Sequence, residues 1–355
     1  MSKTAIVFSP KYYEHNPGSD HPESALRLRS IINELEKGEL AKSRKWQFVQ
    51  PEKASLEDVE LVHCTEYIRL IEAVCRHGGG ILDSGDTVAS SKSFETALYA
   101  VGGTLKAVNL VMEKKFENAF ALARPPGHHA GAFRACGFCI FNNVAIAAKH
   151  LLKRYGLKRI VILDIDAHHG NGTQEAFYHT DQVLYISLHE DPLDFPRTGF
   201  VDETGEDDGL GYNVNIPLPF ETGERIYLKA VGEIAVPIMR QYKPQIMLVS
   251  AGFDGHYTDP VGNLLLSAYC YEKVYEMIVN LAAEICEGRL VSVLEGGYSL
   301  NFVGKIAAVA IGKMSGTSYV IGDQAPTSKK QIRARGEKIM EKAKKVYGDF
   351  WNLAR

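Results

Sequence analysis

The sequence is poor in the features that mark secreted, membrane-bound or nucleic-acid-binding proteins. It has only six cysteines in 355 residues, mostly in apolar surroundings, so we expect buried thiols of a reducing compartment. A formal net charge of -3 argues against binding nucleic acid or a membrane through bulk electrostatics. No apolar run approaches the length of a membrane span, and the apolar stretch 5–8 near the N-terminus is too short for a signal peptide. We therefore expect a cytoplasmic protein that binds neither nucleic acid nor a membrane.

The sequence also lacks a linker, a low-complexity tract, an internal repeat and any shift in composition that would mark a domain boundary. Its 45% content of hydrophobic residues is typical of a globular protein. We expect one domain, 1–355, with a C-terminal helix of about 328–350 that is part of it or appended to it.

Short runs rich in β-branched residues alternate with longer amphipathic stretches. The predicted strands are 4–8, 119–123, 159–165, 183–188, 212–216, 246–250 and 290–294. The clearest predicted helices are 22–36, 94–113, 143–155, 224–242, 268–287 and 328–347. Strands such as 159–165 are apolar at nearly every position, which is typical of a sheet covered on both faces. The pattern predicts an α/β fold with a mostly parallel central sheet and helices on both faces.

Four groups of unusual polar residues follow predicted strands. They are Arg124-Pro-Pro-Gly-His128-His129, Asp164-Ile-Asp166-Ala-His168-His169-Gly-Asn171-Gly, Ala251-Gly-Phe-Asp254 and Glu295-Gly-Gly-Tyr298. The carboxyl ends of parallel strands meet at one edge of a sheet, which is where ligand crevices form. We expect these four segments to converge on one site.

The spacing of Asp164, Asp166 and His168 points to a metal. On an extended chain, residues two apart project to the same side, so two carboxylates and an imidazole face one point. Asp254, at the end of a neighbouring strand, is the natural third ligand and leaves a position open for water. One nitrogen with carboxylate oxygens fits zinc, with iron(II), cobalt or manganese as substitutes. A group of acids that caps the following helix is the alternative interpretation.

His128 and His129 lie on a turn after Pro126 and Gly127, where side chains can be presented to a cleft. One of the two imidazoles can serve as general base, and Asp164 and Asn171 are candidate partners for the other ring nitrogens. Tyr298 can donate a hydrogen bond to a developing oxyanion. A core tyrosine bonded to a backbone carbonyl is the alternative.

The motifs RPPGHHA, DIDAHHGNG, SAGFD and LEGGY, in this order, resemble those of the histone deacetylase and acetylpolyamine amidohydrolase superfamily. The resemblance spans the chain from His21 to Tyr298 and implies an arginase-like fold. It implies one zinc ion per chain, held by Asp166, His168 and Asp254. It also assigns catalytic roles in which His129 is the general base and acid, His128 is its electrostatic partner, and Tyr298 polarises the carbonyl.

The resemblance implies further residues that the spacing alone would not identify. The acyl tunnel maps onto Gly137, Phe138 and Phe195, and Asp86 is similar to a rim acid that accepts hydrogen bonds from the substrate. The resemblance also implies two structural potassium sites. The inner site would use Asp164, Asp166, His168, Ser187 and Leu188, and the outer site Phe177, Thr180, Val183 and Tyr212.

Two positions depart from parts of the family. Asn171 stands where one branch carries aspartate, so the chain resembles the class II branch and its prokaryotic relatives. A neutral amide adds no negative charge, so we expect His129 to be the more readily neutral of the two histidines. Val261 occupies the position of a glutamate gate in a polyamine-selective relative, which weakens a polyamine interpretation.

These observations predict a zinc-dependent, hydroxamate-sensitive hydrolase of N-acetylated amines, with acetyl-lysine in proteins or peptides as the first substrate class. Acetylpolyamines or other small N-acyl amines are the alternative. A dinuclear manganese ureohydrolase and a non-catalytic acyl-lysine binder are further alternatives. A homo-oligomer is compatible with the sequence.

Overall fold

The computed structural model describes residues 3–193 and 195–353, and an eight-stranded sheet forms the centre of this part of the chain. All neighbouring strands of this sheet run parallel. The strand order is β2-β1-β5-β10-β9-β6-β7-β8, and β3 and β4 form a separate antiparallel hairpin. The strands are β1 Thr4–Val7, β2 Trp46–Val49, β3 Gly79–Ile81, β4 Val88–Ser90, β5 Asn118–Ala121, β6 Ile160–Asp164, β7 Val183–Glu190, β8 Asn213–Leu218, β9 Ile246–Ala251 and β10 Leu290–Leu294. The predicted α/β fold with a mostly parallel sheet is confirmed.

Helices cover the sheet and bury both of its faces. They are α1 Leu26–Leu35, α2 Gly38–Lys42, α3 Leu56–Val59, α4 Thr65–Arg76, α5 Ser93–Met112, α6 Asn143–Tyr155, α7 Asn171–Phe177, α8 Glu224–Ala230, α9 Val236–Tyr242, α10 Ala268–Ile285, α11 Val303–Ser315 and α12 Lys330–Tyr347. A π-helical turn, Val231–Ala235, joins α8 to α9 and makes the predicted helix 224–242 continuous. Every residue of β6 and of β9 is buried, as their unbroken apolar runs predicted.

The C-terminal helix α12 packs against the body of the domain. Met340, Ala343 and Tyr347 lie on one face of it and join the main hydrophobic cluster. The Tyr347 hydroxyl accepts a hydrogen bond from the backbone N–H of Asn215 on β8 at 2.6 Å and donates to the Val201 carbonyl at 3.0 Å. These contacts secure β8, which is the last strand in the order of the sheet.

The features that the sequence has in short supply are reflected in the structure. All six cysteines are free thiols; four are buried as expected, whereas Cys64 and Cys136 are only half-buried. Within residues 3–193 and 195–353, no helix combines the length and the apolar character that crossing a bilayer requires.

Candidate active site

The four polar segments follow the four central strands of the sheet. Strands β5, β10, β9 and β6 are consecutive neighbours, and the chain leaves each of them at the same edge. The register places Asp164, at the end of β6, opposite Ser250 on β9. The predicted convergence of distant segments is therefore present.

Asp166, His168 and Asp254 form a buried cluster of potential metal ligands. One ligand atom from each lies within 4.8 Å of the others. The Nδ1 atom of His168 is 3.1 Å from Oδ2 of Asp254 and 3.3 Å from Oδ1 of Asp166. Three ligands about 2.0–2.1 Å from a tetrahedral ion would be separated by about 3.3 Å, so the donor set fits zinc in both type and spacing. A fourth position is left for water or substrate.

Backbone groups hold the two carboxylates in this cluster. Asp166 accepts hydrogen bonds from the backbone N–H groups of His168 and Gly296, and Asp254 accepts one from Ala167 at 2.8 Å. A Cβ at Gly296 would overlap the carboxylate oxygens of both acids. Glycine is therefore required at this position, because any side chain would fill the space beside the ligands.

Glu190, at the end of β7, is a site residue that the sequence analysis missed. Its carboxylate is buried, with Oε1 3.7 Å from Nε2 of His168, the ring nitrogen on the far side from the ligand cluster. The backbone N–H and the side-chain amide of Asn263 donate to it at 2.6 and 3.0 Å. A carboxylate at this ion-pair distance favours the charged form of the imidazole and would increase its basicity as a metal ligand. The distance of Glu190 in sequence from Asp164, Asp166 and His168 did not indicate a role at the site. The end of β7 lies near these residues only because β7 pairs with β6 in the sheet.

The two adjacent histidines have different partners. His128 donates its Nδ1 hydrogen to Asp164 at 3.1 Å, and His129 donates its own to Oδ1 of Asn171 at 2.8 Å. The ring centroids are 3.9 Å apart. Tyr185 adds a hydrogen bond to Asp164 at 3.0 Å and so fixes this carboxylate from the other side.

These partners drive the two imidazole pKa values apart. Burial disfavours the charged form of His128, but the carboxylates of Asp166 and Asp164 outweigh burial and raise its pKa to about 10. Burial, together with the positive charge of His128, holds the pKa of His129 well below its usual value. His129 is thus the neutral member of the pair, as its amide partner predicted.

Tyr298 lies between a cation and an aromatic ring. The guanidinium of Arg27 lies over its ring at 4.8 Å, and Phe138 contacts it edge-on at 5.6 Å. Burial raises the pKa of the Tyr298 phenol well above its usual value, so the phenol is a donor at neutral pH. Arg27, which the sequence analysis did not single out, also donates to the backbone carbonyls of Gly297 and Glu295 and so holds the turn before Tyr298.

Gly137, Phe138 and Phe195 surround the approach to the histidines and the ligand cluster. Phe195 contacts the rings of His129 and His168 edge-on, with centroid distances of 5.0 and 6.0 Å. Gly137 has a φ of 52° in a tight turn, and a Cβ there would overlap the ring of His129. The predicted tunnel residues are therefore brought together.

Two of the predicted substrate-binding residues lie farther out. Asp86 is exposed, and its backbone carbonyl accepts a hydrogen bond from Nε2 of His21, whose ring packs on Phe138 at 4.6 Å. Partial burial and the neighbouring Asp83 raise the pKa of the Asp86 carboxyl. Val261 is half-buried in a turn capped by Asp259. Asp86 is thus connected to Phe138 through His21, while its role at a substrate rim stays a prediction.

The residues predicted for the two potassium sites lie in two neighbouring regions. Asp164 on β6 is paired in register with Ser187 on β7, followed by the buried Leu188. Phe177, Thr180 and Val183 lie where α7 leads into β7. The Tyr212 carbonyl accepts from the Tyr185 N–H of that strand at 3.0 Å.

Comparison of the sequence with known protein families shows which family has this arrangement of residues. The family model of the histone deacetylase domain matches residues 21–314. The chain belongs to the histone deacetylase family. Members of this family are enzymes that hydrolyse amide bonds, and the fold of this histone deacetylase domain is the arginase-like α/β fold.

Individual relatives agree with this assignment. A probable deacetylase of Archaeoglobus fulgidus is 47% identical over 298 residues, which cover 84% of this chain and 82% of the relative. A histone deacetylase-like amidohydrolase of Pseudomonas aeruginosa is 34% identical over 86% of this chain and 79% of its own length. The crystal structure of the HD domain of HDA15 superimposes with a TM-score of 0.88 at 30% identity and covers 99% of this chain and 96% of that domain.

Proposed function

We propose that this histone deacetylase-family protein is a zinc-dependent deacylase that hydrolyses the amide of N-acetyl-lysine in proteins or peptides. The observation that supports it most is the position of the neutral His129 beside the Asp166–His168–Asp254 cluster, with Tyr298 on the same edge of the sheet. Two carboxylates and one imidazole leave a coordination position open, which is typical of a catalytic rather than a structural zinc site.

When bound to Asp166, His168 and Asp254, zinc would supply Lewis acidity to a carbonyl and acidify a water molecule. The chain's own residues then have separate tasks. The Nδ1 hydrogen of His129 is bonded to Asn171, so the lone pair on Nε2 accepts the proton from water. His128, charged beside Asp164, stabilises the negative charge that develops on the substrate. Tyr298 donates its phenol hydrogen to the acyl oxygen, and protonated His129 returns its proton to the leaving amine.

The walls of the site favour a long, slender substrate. Phe195 lies against the histidines, and Phe138 lies against Tyr298, so an unbranched alkyl chain would pass between aromatic faces before its amide reaches the catalytic groups. Val261 adds no charge at the rim that would select a polyamine. The loop 201–209 carries five acidic residues. One of them, Glu203, turns inward and accepts hydrogen bonds from the Gln174 side chain and the Gly199 N–H, which is a structural role.

The two potassium sites are part of the same proposal. Asp164 is buried and already serves His128 and Tyr185, and it lies beside the backbone of Ser187. A monovalent cation there would offset the negative charge of a carboxylate held away from water.

The test is deacylation of matched acetyl-lysine peptides, acetylated polyamines and longer acyl-lysines by purified, zinc-loaded protein, with a hydroxamate-inhibited reaction as control. We expect hydroxamate-sensitive release of carboxylate, fastest on acetyl-lysine peptides, and one zinc per chain by elemental analysis. A preference for acetylated polyamines would overturn the substrate assignment but keep the chemistry. Two metal ions per chain, or no turnover by folded zinc-loaded protein, would overturn the chemistry.

A further inference from the structure

Asp323 connects the C-terminal segment to the active-site edge. It lies in residues 317–329, which have no regular secondary structure between α11 and α12 and follow the end of the histone deacetylase family match at residue 314. The residue as a whole is half-buried, but only 1% of its side chain is exposed. A buried charge in an irregular segment is costly unless it is fully bonded, so its partners indicate what it stabilises.

Asp323 has three hydrogen-bond partners. Its Oδ2 atom is 2.9 Å from Nε2 of His256 and accepts the backbone N–H of Ala268, at the start of α10, at 2.8 Å. Its Oδ1 atom accepts the Tyr257 hydroxyl at 3.0 Å. Asp323 thereby joins the loop after Asp254 to the N-terminus of a long helix, where a carboxylate is also favoured by the helix dipole.

His256 connects Asp323 to Thr258 and, through Thr258, to the loop that contains Ser299. Its ring is buried and stacked on Phe302 with a centroid distance of 4.4 Å, so it cannot rotate freely. Its Nδ1 atom is 2.9 Å from the Thr258 hydroxyl, which is 2.7 Å from the hydroxyl of Ser299. A continuous chain of hydrogen bonds thus runs from Asp323 to the residue directly after Tyr298.

The same loop also holds the Tyr298 backbone. One carboxylate oxygen of Asp259 accepts the N–H groups of Tyr298 at 2.6 Å and of Ser299 at 2.9 Å. The N–H of Asp259 in turn donates to the His256 carbonyl at 2.7 Å. The Tyr298–Ser299 peptide is therefore attached to the 256–259 loop at three points, and that loop is attached to the C-terminal segment through Asp323.

We propose that Asp323 is a positioning residue for Tyr298, acting through His256, Thr258 and Asp259. The proposal rests on the proposed function for the role of the Tyr298 phenol. Asp323 touches neither substrate nor ligand cluster. Its effect falls on the step in which Tyr298 meets the acyl oxygen, because small displacements of a catalytic group cost turnover more than binding.

The kinetic test compares Asp323→Ala with Asp323→Asn, which keeps an oxygen for His256 and Ala268. Asp349→Ala, at an exposed acid after α12, is the matched control. We expect Asp323→Ala to lower kcat about tenfold or more with KM within about twofold of the parent, and Asp323→Asn to restore most of kcat. Equal losses in Asp349→Ala, or a loss confined to KM, would overturn the proposal.

A double-mutant cycle identifies Tyr298 as the residue through which Asp323 acts. In a Tyr298→Phe background the phenol is already absent, so Asp323→Ala should change kcat less than about twofold. An undiminished effect in that background would show that Asp323 acts elsewhere. Thr258→Val, an isosteric change at an exposed position, removes the link to Ser299 without the risk of unfolding and should reproduce the kcat loss.

Hydrogen exchange provides a readout that does not depend on activity. The amide hydrogens of Tyr298 and Ser299 should exchange faster in Asp323→Ala and in Thr258→Val than in the parent or in Asp349→Ala. Unchanged exchange in both variants would overturn the positioning role. If the parent shows no deacylation but exchange accelerates, the proposed function fails while the restraint stands.

Discussion

His129 donates its Nδ1 hydrogen to a neutral amide oxygen of Asn171, 2.8 Å away, in a region where the other site histidine is held by a carboxylate. The amide fixes the ring without adding charge. The proton affinity of the proposed base is consequently set by burial and by the charge of His128, both of which lower the pKa of His129.

We expect Asn171→Asp to move the acidic limb of the pH profile of kcat/KM to higher pH. A carboxylate beside the ring stabilises the imidazolium, so the pKa of His129 rises and the neutral base is lost at a higher pH than in the parent. Gln331→Glu adds the same charge at an exposed position of α12 and should leave the profile unchanged. A profile of Asn171→Asp identical to that of the parent would argue against His129 as the base.

Replacing Tyr298 with phenylalanine should lower kcat by about 10²–10³-fold, because the carbonyl loses a hydrogen bond made mainly in the transition state. KM and zinc content should change little. Tyr269→Phe, on the exposed side of α10, is the control for loss of a phenol and should be silent. Parent-like turnover by folded Tyr298→Phe would remove the phenol from the mechanism.

Glu190→Gln should weaken zinc binding by about tenfold to a hundredfold, because the carboxylate that faces the far nitrogen of His168 is lost. Competition with a chromophoric chelator measures the zinc Kd directly, whether or not a substrate is known. Asp202→Asn, at an exposed acid of the nearby loop, is the matched control. An unaltered zinc Kd would show that Glu190 serves only to bind Asn263.

Glu295→Gln should stabilise the fold at pH 8 but not at pH 4. Burial, with the charges of Asp164 and Asp166, raises the pKa of Glu295 to about 7 from 4.5, so the folded state holds this proton more tightly than the unfolded state. The contribution of the protonated carboxyl to stability is fully present below pH 4.5 and is lost as the pH rises to about 7, at a cost of about 3 kcal/mol.

Glutamine keeps the acceptor for the N–H groups of Gly127 and His128 and does not ionise. Urea unfolding of parent and variant across this pH range measures the difference. Glu341→Gln, at an exposed position of α12, should show no such trend. A constant difference between parent and Glu295→Gln at all pH values would mean that Glu295 ionises normally.

Much of the fold could be predicted because its signals are local. The predicted helix 143–155 coincides with α6, which has Asn142 as N-cap and Gly156 at its end. The two longest of the helices that were missed, α4 and α11, show the limits of such signals. Helix α11 is buried nearly all round, so its sequence has little amphipathic periodicity, and the periodicity of α4 was present but overlooked.

The side chains proposed to be catalytic could be selected from the sequence because they lie within a few residues of strand ends. The residues that support them could not. Arg27 reaches the Tyr298 turn from α1, and Asp323 binds His256 in the loop after Asp254 from a segment near the far end of the chain. Such contacts are made by tertiary packing between segments far apart in sequence, and neither spacing nor periodicity encodes them.

The site residues follow the four central strands of the sheet, and each of these strands is paired with a neighbour on both sides. Fraying begins at sheet edges, so the backbone that carries these residues should be the last part of the sheet to open. Substitutions in β2 or β8 can therefore lower the free energy of unfolding without changing the positions of the site residues. The rim loops, in contrast, can diversify in evolution without touching the strands that carry the chemistry.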